Sequence, residues 1–188
     1  MYFELGKKSS AGYCGLVFLY KKDGGITSKE ILSMQEIKVR RAQIEDYDAI
    51  EIIMKQVQQM HIDWRPDLYK MGSVVLPYEM YEAAVAEGTF IVAEMNNNVV
   101  GFLAYELRHI ENDNQVSRNV LFIDSMGVDE AFRGKGIGHL LFDYVKNLKQ
   151  NRKIDKIELQ VNAKNVRARE MYEKYGFAEK AIVMDMNL

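Results

Sequence analysis

The sequence predicts an α/β protein of the α+β kind, a mixed sheet flanked by helices in the order β, α, α, β, β, β, α, β, α, β. Short β-rich runs alternate with stretches whose apolar residues recur at helical spacing, and an Asn-Asn-Asn turn joins two of the runs. A glycine-rich turn also leads from a strand-like run into the most strongly amphipathic segment. At 188 residues and 21.7 kDa the chain suits one core rather than two.

Ile37-Lys38-Val39-Arg40 alternates like a short strand, and Ile50, Ile53, Met54, Val57 and Met60 then recur at helical spacing. Arg65-Pro66-Asp67 breaks that pattern, and a second helix is expected from about Tyr78 to Glu87, with Gly88 as its stop. Thr89 to Met95 and Val99 to Leu107 are β-rich. Asn96, Asn97 and Asn98 between them tolerate the positive φ of a tight hairpin, so the two runs are expected to pair antiparallel. The polar stretch Glu111 to Arg118 reads as a loop, and Val120 to Val128 is again strand-like. Past the glycines, Ile137, Leu140, Leu141, Tyr144, Val145 and Leu148 form a stripe that faces a core. Ile157, Leu159 and Val161 alternate as a strand, Asn165 to Tyr175 reads as a short helix closed by Gly176, and Ile182 to Met186 alternates as a final strand.

Residues 1 to 33 have a different texture, rich in Gly, Ser and Lys and interrupted at Gly24-Gly25. Lys29-Glu30 can be encoded AAG-GAG, a bacterial ribosome-binding core, three codons before Met34. The expectation is that Met34 is the natural start, that residues 1 to 33 are translated leader or an added expression sequence, and that 34 to 188 form the working domain. A net charge of -2 and a pI near 6.0 provide no basic field for tracking a nucleic acid, so any anionic ligand must be held locally. Cys14 is the only cysteine, which leaves no internal disulfide and no multi-cysteine metal site. No apolar run approaches the roughly 20 residues that span a bilayer. These features point to a cytoplasmic protein without membrane, nucleic-acid or metal partners, a monomer or homodimer.

Arg133-Gly134-Lys135-Gly136-Ile137-Gly138 sits between a strand and the strongest helix, where unpaired amides meet the positive end of the helix dipole. Glycines let the backbone approach a phosphate, and Arg133 and Lys135 add charge. A Walker A motif would require Gly at Asp129 and Ser or Thr at Gly136, so it fails; a dinucleotide fingerprint begun at Gly134 would require Gly at His139, so it fails too. What remains is R-x-x-G-x-G, and here the sequence resembles the GNAT superfamily of N-acetyltransferases. Asn165 to Phe177, read as NVRAREMYEKYGF, is similar to that superfamily's N-x-x-A-x-x-x-Y-x-x-x-G-F segment at every defining position.

The resemblance runs from Ile37 to Leu188 in element order and implies a mixed, mostly antiparallel sheet. It also implies acetyl-CoA as co-substrate. Met126 and Val128 would offer backbone groups to the pantetheine arm, Arg133, Gly134, Lys135, Gly136, Ile137, Gly138 and His139 would cradle the pyrophosphate, and Asn165, which opens the second motif, would join the coenzyme-binding residues. Tyr172 matches the tyrosine that protonates the departing thiolate, and a backbone amide near Met126 would hold the oxyanion.

A base must still take a proton from an amine that is mostly ammonium at neutral pH. Some relatives carry Glu where this chain has Gln160, and an amide cannot serve. Asp124 is the first substitute and Glu158, on the same strand as Gln160, the second. His61, Trp64, Arg65 and Tyr69 fall where the superfamily shapes its acceptor pocket. Lys149, Arg152 and Lys153 lie where cations complement a helix C-terminus. The activity implied is acetyl transfer to a primary amine, either a small molecule or a protein N-terminus; the alternative is an acyl-CoA-binding regulatory module without chemistry.

Overall fold

Alternation along β1 (Ile37–Arg41) turns Ile37 and Val39 toward a core, and the strand passes through a 3-10 turn into α1 (Tyr47–Trp64). The structure is a computed structural model and describes residues 37–148 and 153–186. α2 (Tyr78–Glu87) ends where Gly88 takes a φ of +68°, the left-handed cap that glycine adopts without strain. β2 (Phe90–Met95) and β3 (Asn98–Asn112) form the expected hairpin, with Asn96 and Asn97 at φ 52° and 61° in its turn. β4 (Gln115–Val128), α3 (Ile137–Leu148), β5 (Lys156–Leu159) and α4 (Val166–Lys174) follow.

The strands lie in chain order across one sheet, the first three pairings antiparallel and β4 with β5 parallel. Helices cover both faces. Ile91, Ala93, Leu103, Leu121 and Ile123 pack toward Ile137, Leu141, Phe142 and Val145 of α3; Phe90, Val92 and Phe102 pack toward Ile50 and Ile53 of α1 and Tyr81 of α2. β2 is apolar except for Glu94 because both of its faces are buried. On α3 the predicted stripe is rotated slightly: Phe142 is buried and Leu140 lies at the rim.

Two expectations are corrected. Glu111 to Arg118 is no loop but the tip of the β3–β4 hairpin, turning within two residues, since Asn112 pairs with Gln115 and Ile110 with Arg118. This arm runs past the helices with both faces in solvent, so its residues are polar and lose the alternation by which a half-buried strand is recognised. Arg108 stacks on Phe122 at 3.7 Å and His109 bonds Asn119, contacts between side chains that hold the arm without a core. Second, Ile182 to Met186 forms no strand, and Ile182, Val183, Met184 and Met186 stand exposed. Alternation tells which face a strand would bury, but a strand also needs an edge, and β5 offers only four residues of it. Ion pairs hold this segment instead, Lys180 to Glu158 and Arg65 to Asp185. Residues 1 to 33, Lys149 and Arg152 lie outside the described residues.

Candidate active site

The parallel pairing of β4 with β5 begins at Val120 with Lys156 and ends at Ile123 with Leu159, yet β4 continues to Val128. On its other edge those last residues stay paired, Met126 to Leu103 and Val128 to Gly101. The sheet therefore splits past Ile123, and the backbone around Met126 and Val128 borders the split. Asp124 marks its start. Ala104 pairs with Ser125 and Tyr105 with Ile123, so Asp124 is the extra residue of a β-bulge, a device that bends a strand away from its neighbour. Its side chain is exposed.

The split leads into the glycine turn. α1 clamps the turn's entry: the Glu130 amide donates to Gln56 Oε1 at 2.9 Å, and Asp129 caps the short 3-10 turn by accepting from the Ala131 amide at 2.9 Å. Arg133 is drawn back onto β4, its Nε donating to the Val128 carbonyl at 3.1 Å. Gly134 and Gly136 both take φ of +81°, a region closed to most side chains. A Cβ at Gly136 would meet nothing within 4 Å, whereas one at Gly138 would lie 3.1 Å from Met126 Cε and 3.8 Å from Met171 Sδ. Gly136 thus opens outward at the start of α3, while Gly138 allows β4 and α4 to close on that helix.

Ile137 is buried, so it can give a ligand only its backbone amide. The first amides of a helix have no intrahelical partner, and here they stand beside exposed Arg133 and Lys135. Arg167, which the motif reading passed over, brings Nη2 within 3.6 Å of the Cβ position at Gly134. The spacing of an x residue inside NVRAREMYEKYGF gives no sign of this; only the docking of α4 on the turn does. An open, positive-φ cradle with cations on several sides fits a pyrophosphate.

α4 starts at Asn165, whose Oδ1 accepts the Ala168 amide at 3.2 Å, so that side chain caps the helix and acts on the site by positioning it. Tyr172 packs on Phe177 at 5.6 Å and Phe142 at 6.5 Å, and burial pushes its phenol above 10. It stays protonated through the neutral range. His139 is exposed and bonds Tyr175 Oη at 3.0 Å, which tethers α3 to the end of α4; burial and then Asp143 push the Tyr175 phenol up to about 12. Glu158 points from β5 to the face opposite Ile157 and Leu159, with Lys180 donating to its Oε2 at 2.6 Å. The structure thus gathers the glycine turn, Met126, Val128 and α4 around one split, with Asp124 and Glu158 on its two strands. Lys153 is exposed just before β5, near residues 107 to 109 of the hairpin arm and apart from the glycine turn.

The strands β4 and β5 are parallel and separate beyond Ile123, and β4 leads through a glycine turn to the start of a helix. Residues 54–177 match the acetyltransferase (GNAT) family, and the chain belongs to that family of acyl-CoA-dependent acetyltransferases. It is 40% identical over 101 residues to an uncharacterized N-acetyltransferase of Methanocaldococcus jannaschii, a match covering 52% of this chain and only 42% of that relative. It is 27% identical over 151 residues to the L-amino acid N-acetyltransferase AaaT of Escherichia coli, covering 77% of this chain and 84% of that one. Among solved structures, a tetramutant of the BH1408 protein of Bacillus halodurans aligns with a TM-score of 0.74 at 25% identity, over 80% of this chain and 99% of that one. An aminoglycoside N-acetyltransferase, AAC(6')-Iy, in complex with CoA aligns with a TM-score of 0.58 over 82% and 95%; at 16% identity it shows a shared fold. Among the described residues no helix is long and apolar enough to cross a membrane.

Proposed function

We propose that the chain moves an acetyl group from acetyl-CoA to a primary amine, a small molecule or a protein N-terminus, in the cytoplasm. The carrying observation is that pairing stops at Ile123 and Leu159 while β4 runs on into the glycine cradle. Acetyl-CoA supplies an activated thioester. The backbone of Met126 and Val128 borders the slot for its arm, residues 133 to 139 take its pyrophosphate, and an amide of β4 holds the oxyanion. Tyr172, half-buried and protonated, hands its proton to the departing thiolate. Asp124 and Glu158 border the slot, where a carboxylate draws in an ammonium.

Thiol release from acetyl-CoA in the presence of L-amino acids, spermidine, an aminoglycoside and a short peptide tests this. Turnover with one of these amines is expected. Binding of coenzyme A with no turnover on any would instead identify a regulatory module. In Tyr172→Phe, kcat should fall about 10²-fold or more with the KM for acetyl-CoA little changed; an unchanged kcat across pH would remove Tyr172 as the acid.

A further inference from the structure

Two side-chain atoms among the described residues are buried without a hydrogen-bond partner, His61 Nδ1 and Glu158 Oε1. Leaving such an atom unpaired is costly, so each calls for a partner from outside the fold. Both belong to the same side of the sheet. Ile157 and Leu159 pack toward α3, and alternation turns Glu158 toward the side that α1 covers.

The path of α1 places His61. Ile53 and Val57 lie against Gly127 near the end of β4: a Cβ there would sit 3.1 Å and 2.9 Å from their Cγ2 atoms. His61 is one helical turn beyond Val57 on the same helix face. The helix end then reaches the chain that follows β5, with Lys164 Nζ donating to the Trp64 carbonyl at 2.7 Å and Arg65 paired with Asp185. The last turn of α1 therefore bridges the split from β4 to the far side of β5, and His61 sits in that turn.

The imidazole lies edge-on to Trp64 at 5.6 Å and tilted against Tyr69 at 5.1 Å. Burial among these rings pushes it below 6.5, so it is neutral at pH 7 with a lone pair to offer. The charged groups around it are engaged elsewhere. Arg65 is held by Asp67 and Asp185, Asp63 accepts from Gln59, Lys164 is on the Trp64 carbonyl, and Lys180 takes the other oxygen of Glu158.

We propose that His61 is the group that takes the proton of the acceptor's ammonium, in the role Gln160 cannot fill. This rests on the acetyl-transfer reading above. One ammonium proton passes to the imidazole and on to solvent. The freed nitrogen pair forms the C–N bond, the C–S bond breaks, and the thiolate takes the Tyr172 proton. The second nitrogen proton returns through solvent to the phenolate, leaving an amide, a thiol and one released proton.

The test compares wild type, His61→Gln and His61→Ala from pH 5.5 to 9, using the amines named above. For His61→Gln the expectation is a fall in kcat/KM of about 10²-fold or more at pH 7, loss of the wild-type acid limb, and unchanged coenzyme A affinity. Imidazole added to His61→Ala should restore part of the rate, which a packing role would not allow. An NMR titration, assigned against His61→Gln among only three histidines, should give a midpoint below 6.5 for this ring. An active wild type with His61→Gln keeping its rate and pH profile overturns this inference alone. A wild type that binds coenzyme A and turns over no amine overturns the acetyl-transfer reading instead.

Discussion

The two ends of the sheet are built on opposite terms. At the β1–β2 end a cluster of charges is fully engaged: Arg40 donates to both oxygens of Asp46, at 2.6 and 2.9 Å, and to Glu94 at 2.7 Å. Asp46 also accepts the Gln43 amide at 2.8 Å, and Tyr81 donates to the Gln43 carbonyl. At the β4–β5 end the pairing gives out, a bulge bends the strand, and two buried polar atoms stand alone. A fold can carry unpaired polar groups where it binds a ligand only if it is secured elsewhere. The satisfied end is where this one is secured, and substitutions at the two ends should separate stability from activity.

The largest loss of stability is expected from Asp46→Asn. It breaks the pair between buried Asp46 and half-buried Arg40, at a cost of about 3 kcal/mol by urea unfolding, with kcat little changed below the transition. Burial pushes the Asp46 carboxyl up, but the Arg40 and Gln43 bonds outweigh it and hold it below 3.8. A carboxyl lowered in the folded state stabilises fully above its unfolded value, near 3.9, and that contribution is lost as pH falls through the folded value. The variant should therefore show a flatter acid limb in its stability profile than wild type. Equal acid limbs would mean that another carboxylate sets it.

Gly127→Ala should come next, because it joins the two ends. A Cβ there would lie 2.8 Å from Phe102 Cε1 and 2.9 Å from Val57 Cγ2, contacts that force α1 outward. Overpacking of this kind costs about 2 kcal/mol. Because the same helix carries His61, kcat should fall as well, and a stability loss without a loss of rate would uncouple α1 from the chemistry. Gly136→Ala should do the reverse. Its φ of +81° costs a side chain about 1 kcal/mol, but no atom lies in the way, so coenzyme A affinity should suffer more than the unfolding midpoint.

How much of this was legible in the sequence follows from how local each signal is. The glycine turn, the Asn96-Asn97 hairpin, the Gly88 and Gly176 stops and the Asn165 cap are encoded by residues adjacent in the chain, and each appears where the sequence places it. The hairpin arm was missed because a strand exposed on both faces has no apolar period. The absent last strand was misplaced because alternation cannot report whether an edge is available. Arg167 at the cradle and His61 at the split depend on helices meeting turns far away in sequence. Only the orphaned Nδ1, a property of the packed chain, singles out His61 from its neighbours Trp64 and Tyr69.

The smallest effect on stability, and the finest test of the open end, is Lys180→Met. The lysine is 64% exposed, and an exposed ion pair contributes little, so the unfolding midpoint should not move measurably. Its charge nonetheless sits 2.6 Å from Glu158 Oε2 and offsets the carboxylate on the side of the sheet that α1 covers. Without it, Glu158 presents an unanswered negative charge beside the split. The KM for a cationic acceptor such as spermidine should fall several-fold with kcat unchanged, and added salt should erase most of the gain. A KM that stays constant at low salt would show that Glu158 faces away from the acceptor's path. The amine would then enter beneath the aromatic end of α1, past Trp64 and Tyr69, and His61 would meet it without help from the strand.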